Sequence, residues 1–146
     1  MKNIYLAAPF FSDEQNERVT RVEEDLAANP TVGEVFSPRK NQLEQYEMGT
    51  KKWAQEIFKY DTSKIDWCDV VVAVVDFDDD DVDSGTAFEI GYAYSTNKPL
   101  VIFHEKDTIL NLMVSESLKA HLTTDKQLQD YNFEDLPLVP YDGKVI

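Results

Sequence analysis

Cysteine and histidine are nearly absent from this 146-residue chain, which has one Cys, Cys68, and two His, His104 and His121. A lone thiol can form no intramolecular disulfide and no thiolate cluster for a metal. Placed just before the apolar run at residues 70–75, Cys68 reads as a buried, inert thiol. The two histidines have no partner at metal-ligand spacing, so no zinc centre is expected. Basic residues are scarce too: 14 Lys and Arg stand against 28 Asp and Glu, for a net charge of −14. Such a field repels phosphate backbones and anionic lipid. It disfavours nucleic acid and membrane surfaces as partners and favours a neutral or weakly basic small molecule, although an acidic excess also serves solubility. The opening MKNIYLAAPF is too short for a signal peptide or a membrane span, which leads to the expectation of a cytoplasmic protein in a reducing compartment. Neither common glycine-rich phosphate loop is found, and no Ser or Cys sits in a nucleophile elbow. The run Asp78-Asp79-Asp80-Asp81 lacks the Asp-x-Asp-x-Asp-Gly framework of a calcium loop and reads as solvated.

What is present is enough apolar material for a core. At 42% hydrophobic and 12% aromatic, the chain reads as one domain over residues 1–146. Residues 3–8 form an apolar run closed by Pro9, a strand. Ser12-Asp13-Glu14-Gln15 matches a helix capping box, and Val19, Val22 and Leu26 follow at helical spacing until Asn29-Pro30 stops the helix. A second strand is expected at 32–36, then a polar connection to Gly49 long enough to carry function. In the next helix, residues 50–64, Trp53, Ile57 and Asp61 share one face. The unbroken run VVVAVV at 70–75 is the mark of a strand buried on both faces, as in parallel sheets. An acidic loop at 76–83 leads to a helix opened by Gly85 and running to about residue 97. A strand at 99–104 follows, then a helix at 110–122 and an irregular tail with a short strand. Alternating strands and helices with right-handed crossovers predict an α/β fold, a doubly wound, flavodoxin- or Rossmann-like, mainly parallel sheet flanked by helices.

Ligands of open α/β sheets bind outside the carboxyl ends of the strands, so the site should draw on residues 9–12, 37–49 and 76–89. Glu89 is the most informative residue there. Read into the first turn of its helix, it has two roles open to it. The positive end of the helix dipole favours an ionised carboxylate, as a nucleophile at a sugar carbon must be. Alternatively, Thr86-Ala87-Phe88-Glu89 is a second capping box, and Glu89 merely satisfies a backbone N–H. Asp61 likewise either faces the core side, where desolvation would let it hold a proton near neutrality, or ends its helix in water. Two carboxyls in different environments suit glycosyl transfer with retention, one attacking the anomeric carbon and the other carrying the proton of the leaving group. Tyr5, Phe11, Trp53 and Phe88 are candidates for an apolar wall that limits attack by water.

The stretch Ser84-Gly85-Thr86-Ala87-Phe88-Glu89-Ile90-Gly91-Tyr92-Ala93 resembles the Gly-x-x-x-Glu-[Leu/Ile]-Gly-Tyr-Ala segment of nucleoside 2-deoxyribosyltransferases. The likeness extends along nearly the whole chain. It includes Ile4-Tyr5-Leu6-Ala7, Pro9-Phe10-Phe11, Asn29-Pro30, Asn41-Gln42, Tyr60-Asp61, Asp69-Val70-Val71, Asn111-Leu112-Met113 and Tyr141-Asp142-Gly143. The resemblance implies that Glu89 is the nucleophile forming a glycosyl ester, with Asp61 assisting protonation of the base. Asp83 would bind sugar or base, and Tyr5 would orient the nucleophile. Gln42 and Phe11 would bind the base, and Gly85 would belong to the substrate-binding segment. Asn111 would reach the sugar 5′-hydroxyl of a neighbouring subunit, with Met113 beside it. Implied partners are 2-deoxynucleosides and free nucleobases, without cofactor or metal, in a homo-oligomer with shared active sites, a hexamer in many members. The chain departs from the family pattern at Ile146, where relatives place a terminal tyrosine whose carboxylate enters the site.

Two other readings stand beside this one. A 2-deoxynucleoside 5′-monophosphate glycosidase would use the same glutamate but needs a phosphate pocket, where the chain has the apolar Pro9-Phe10-Phe11. A non-catalytic nucleotide-binding module on the same sheet would need Glu89 only as a cap.

Overall fold

A computed structural model describes all residues, 1–146. Five strands, β1 (Lys2–Ala7), β2 (Val32–Phe36), β3 (Val70–Val74), β4 (Leu100–Phe103) and β5 (Ala120–Leu122), form one sheet in the order β2-β1-β3-β4-β5. Every neighbouring pair is parallel. The helices are α1 (Asp13–Ala28), α2 (Lys51–Trp67), α3 (Ser84–Ser95), α4 (Leu112–Ser115) and α5 (Asp125–Asp130).

The period-two alternation of the strands sorts the core into two layers. Ile4, Leu6, Val70, Val72, Val74, Val101 and Phe103 face α1 and α5 through Val19, Val22, Leu26 and Leu128. Tyr5, Ala7, Val71, Ala73, Leu100 and Ile102 face the other way, onto Ile65 of α2 and Ile90 and Ala93 of α3. Strand β3 is buried at every position, as its unbroken valine run predicts. The lone thiol, Cys68, is buried, and burial pushes its pKa up to about 11.

Local chemistry sets the helix ends. Ser12 caps α1 by accepting from the Gln15 N–H at 3.2 Å, and Thr50 caps α2 by accepting from the Trp53 N–H at 3.2 Å. The Gln15 side chain turns back to the Phe11 N–H, one residue before the position a capping box would use. Helix α2 runs three residues beyond the expected 50–64, which puts Asp61 inside it rather than at its end.

The sequence-based expectation of one helix at 110–122 fails. The structure has a single turn, α4, followed by the edge strand β5, whose Ala120 and Leu122 point into the first core layer. The two elements are apolar at short range, and only the free edge of β4 decides that the second part pairs as a strand. Helix α5 was likewise not anticipated; it packs Leu128 beneath α1. The tail lacks regular structure, as expected, but the short strand expected in it is reduced to isolated bridges at Val139 and Val145.

Because β1 has β2 on one side and β3 on the other, the chain reverses direction across the sheet after β2. This switch point opens a crevice at the carboxyl ends of β1 and β3.

Candidate functional site

The crevice holds a cavity of about 420 Å³ lined by Ala8, Phe10 and Phe11 after β1, by Pro38, Asn41, Gln42 and Met48 after β2, by Trp53, Ile57 and Asp61 of α2, and by Asp83 and Glu89 at the start of α3. All three segments predicted to form the site contribute. The lining contains three carboxylates and no Lys, Arg or His.

Asp83 is the N-cap of α3: its Oδ2 accepts from the Thr86 N–H at 3.0 Å and from the Thr86 hydroxyl at 3.2 Å. Glu89 is therefore the sixth residue of the helix, in its second turn, and not in the first turn as the pattern suggested. That placement removes the second capping box, because Thr86 lies inside the helix and the cap is already filled. It also weakens the dipole argument, since the field of the helix end fades beyond the first turn.

What governs Glu89 instead is burial. Desolvation pushes its pKa up to about 8, and the nearby negative charges of Asp61 and Asp83 add to the rise. The Tyr5 hydroxyl opposes it by donating a hydrogen bond to Glu89 Oε2. Tyr5 is fully buried on β1, stacked on Phe36 with ring centroids 5.7 Å apart. Burial and the facing carboxylates push its own pKa upward, so it stays a phenol. The hydrogen bond engages one carboxylate oxygen and leaves Oε1 without a protein partner. Asp61, half-buried on the Trp53–Ile57 face, is raised to about 6 by desolvation. Two acids that repel one another and titrate at about 6 and about 8 hold one proton between them near neutral pH.

A family model described as nucleoside 2-deoxyribosyltransferase matches residues 4–131. The chain belongs to the nucleoside 2-deoxyribosyltransferase family. It is 31% identical to the nucleoside deoxyribosyltransferase of Limosilactobacillus fermentum, across 94% of this chain and 90% of that one. Identity to the Lactobacillus leichmannii enzyme is 30%, over 99% and 98% of the two chains. The solved 2-deoxyribosyltransferase of Bacillus psychrosaccharolyticus superposes with a TM-score of 0.87 at 38% identity, over 95% of this chain and 98% of that one. The protein is thus an enzyme of this family, and its five-stranded parallel sheet is the family's fold.

Of the residues that the family resemblance singled out, Tyr5, Phe11, Gln42, Asp61, Asp83 and Glu89 gather at the cavity. Phe11 is 74% exposed and stacks beside Phe10 at the rim. Gln42 is exposed as well, its amide donating to the Arg39 carbonyl at 3.2 Å. Gly85 does not line the cavity. A Cβ there would stand 3.2 Å from Asp83 Oδ2, so its small size leaves the capping carboxylate undisturbed. Phe88, expected in the apolar wall, points away; it packs on Phe58 and Tyr92 at 5.7 and 6.3 Å. Consecutive helical residues project about 100° apart, so Phe88 and its neighbour Glu89 lie on different faces of α3.

Asn111 and Met113 lie elsewhere, in a second depression of about 540 Å³ shared with Val82, Ile90, Tyr94 and Ile146. Asn111 caps α4 by accepting from the Met113 N–H at 2.9 Å, and Met113 is 74% exposed.

Met48 and Pro38 were missed as lining residues, and only the predicted functional loop at 37–49 hinted at them. The sequence also gave no sign that His104 and His121 meet, Nδ1 to Nε2 at 2.9 Å, with Thr108 on the far side of His104 at 2.6 Å. The 17-position separation between them is bridged by the pairing of β4 with β5. Asp76, at the head of the acidic loop, is buried and accepts from the Glu105 and Lys106 N–H groups at 2.9 Å, whereas Asp78–Asp81 are exposed. No helix is long and apolar enough to cross a membrane.

Proposed function

We propose that the protein moves 2-deoxyribose between nucleobases by a retaining double displacement through a glycosyl ester on Glu89. The observation that carries this reading is the arrangement of Glu89 at the switch-point cavity, with Oε2 held by the Tyr5 hydroxyl, Oε1 unpartnered and Asp61 alongside. Glu89 Oε1 attacks the anomeric carbon, the bond from that carbon to the base nitrogen breaks, and the departing base takes the proton of Asp61. An incoming base then returns its proton to Asp61 as its nitrogen attacks the same carbon and Glu89 leaves as carboxylate. Two inversions give net retention. The pair of acids supplies both functions because it holds a single proton near neutrality, and the reaction uses the form with that proton on Asp61.

Three carboxylates without a cation in the lining disfavour a phosphate group, which supports nucleosides over nucleotides as substrates. Both purines and pyrimidines are proposed as bases, in keeping with a cavity of about 420 Å³ whose lining includes Phe10, Phe11, Met48, Trp53 and Ile57. Asn111 and Met113 do not line the cavity of their own chain, which supports a homo-oligomer, a hexamer by family resemblance, in which they complete a neighbour's site. The test is a chromatographic assay of thymidine mixed with adenine. Wild type is expected to yield deoxyadenosine and thymine, and Glu89→Ala neither. Free deoxyribose without exchange would show a hydrolase instead, and no reaction with thymidine or deoxyinosine would overturn the proposal.

A further inference from the structure

One buried carboxylate outside the cavity is tied to the cavity wall. Glu23, on α1, is 6% exposed. Its Oε1 accepts from the Ser37 hydroxyl at 2.7 Å and from Arg39 Nε at 3.2 Å, while Oε2 meets Arg39 Nη2 at 2.5 Å and Lys40 Nζ at 3.2 Å. Burial alone would raise its pKa, but the hydrogen bonds from Arg39, Ser37 and Lys40 outweigh this and hold it below the usual carboxylate range.

These donors sit on the short turn at Pro38–Lys40 or, for Ser37, immediately before it, where the loop to Gly49 opens, and that loop supplies Pro38, Asn41, Gln42 and Met48 to the cavity. Apart from the Thr50 hydroxyl, which donates to the Glu47 carbonyl at the loop's far end, the side-chain hydrogen bonds and ion pairs by which residues 37–49 reach the rest of the protein end on Glu23. Inside the loop, the Asn41 amide donates to the Ser37 carbonyl at 2.9 Å and the Gln42 amide to the Arg39 carbonyl at 3.2 Å. The two amides that face the ligand space are therefore referenced to the two residues that Glu23 grips. Helix α1 holds the opposite segment as well, since the Gln15 side-chain Oε1 accepts from the Phe11 N–H at 2.8 Å.

We propose that Glu23 is a positioning residue for the nucleobase: through Ser37 and Arg39 it fixes the turn from which Asn41 and Gln42 face the base, while leaving the Glu89 chemistry alone. The inference rests on the transferase reading of the cavity. A bidentate guanidinium–carboxylate pair is directional as well as strong, so it can set the orientation of a loop that has no regular structure of its own. It acts on binding geometry rather than on charge in the pocket, because Glu23 itself does not line the cavity.

The experiment compares wild type with Glu23→Gln, Arg39→Met and the double variant, by calorimetric titration with adenine and by steady-state exchange of thymidine with adenine. In each single variant the Kd and the KM for adenine are expected to rise roughly tenfold, as for a positioning group displaced by a fraction of an ångström. At saturating substrates kcat should stay within about twofold. The double variant should be no worse than either single one, because both break the same link. Glu23→Asp, which keeps the charge, should recover part of the loss. Thermal melting identifies folded protein; should Glu23→Gln fail to fold, Arg39→Met carries the test from the more exposed side of the pair. Unchanged Kd and KM, or a loss confined to kcat, would overturn the proposal. A wild type that binds adenine but exchanges nothing would sink the transferase reading while the titration still decides the role of Glu23. Absence of both binding and exchange would overturn both.

Discussion

Two sets of desolvated carboxylates in this protein live in opposite surroundings. Glu23 is met by Arg39, Lys40 and Ser37, and Glu105 by Arg18 and Arg21; burial works to raise both, but their donors win and hold them low. Glu89 and Asp61 are desolvated as well, yet the only donor between them is the neutral Tyr5 hydroxyl, and both are pushed up. The first set is compensated and ties α1 to its surroundings. The second is uncompensated, which costs stability and stores reactivity. In a chain with 28 acidic residues, the type of residue says little; what marks this site is a group of recessed acids facing one cavity without a cation.

The contrast can be broken most sharply at Glu89. Glu89→Gln keeps the shape and the Tyr5 contact but cannot form an ester, so exchange should fall by roughly four orders of magnitude with the circular dichroism spectrum unchanged. The same substitution at Glu23 should leave kcat nearly untouched.

Next comes the shared proton. Wild-type kcat/KM should follow a bell with limbs near 6 and 8. Below the lower limb both acids are protonated and no nucleophile exists; above the upper limb both are ionised and no acid remains. Asp61→Asn should slow exchange by about a hundredfold or more and abolish the alkaline limb. It should also move the remaining acid limb below 8, because the Asp61 charge that raises Glu89 is gone.

Tyr5→Phe is a smaller change. It removes one hydrogen bond to a charged group, worth about 10- to 100-fold in kcat/KM. Since that bond lowers the Glu89 pKa, its loss should shift the Glu89 limb upward in a pH–rate profile.

The smallest effects are on stability, and their signs oppose. Glu89 has a raised folded-state pKa, so its contribution is most favourable below the unfolded value and is lost as pH rises through about 8. Glu89→Gln should therefore melt higher than wild type at pH 9, by roughly 1–2 kcal/mol in stability. Glu23 has a depressed pKa, so its contribution is present above the unfolded value and is lost as pH falls through the folded one. Glu23→Gln should melt lower than wild type at pH 7, by roughly 1–3 kcal/mol, with the gap closing in acid. Thermal melts at both pH values check the pair.

This contrast also explains what could be read in the chain before folding. Strand β3 was legible because six consecutive apolar residues fit a doubly covered strand, and the cavity's place followed from strand polarity alone. Asp61 was legible as a direction, through its spacing from Trp53 and Ile57, although the helix end left two readings open. The depth of Glu89 was not legible, because its helix starts at Ser84 and is capped by Asp83, one turn earlier than the capping-box pattern placed it. Strand β5 was hidden because an edge strand of three residues has too little pattern to outweigh the apolar helix-like spacing around it. The Glu23 contacts and the His104–His121 contact depend on tertiary pairing, with no local signal for it.

The most direct test of the account is to incubate the enzyme with a 2-deoxynucleoside, quench it in acid, and examine its peptides by mass spectrometry. The account predicts one deoxyribosyl group on the peptide bearing Glu89, discharged when a second nucleobase is added and absent from Glu89→Gln. Exchange that proceeds without that adduct, or that persists in Glu89→Gln, would contradict it.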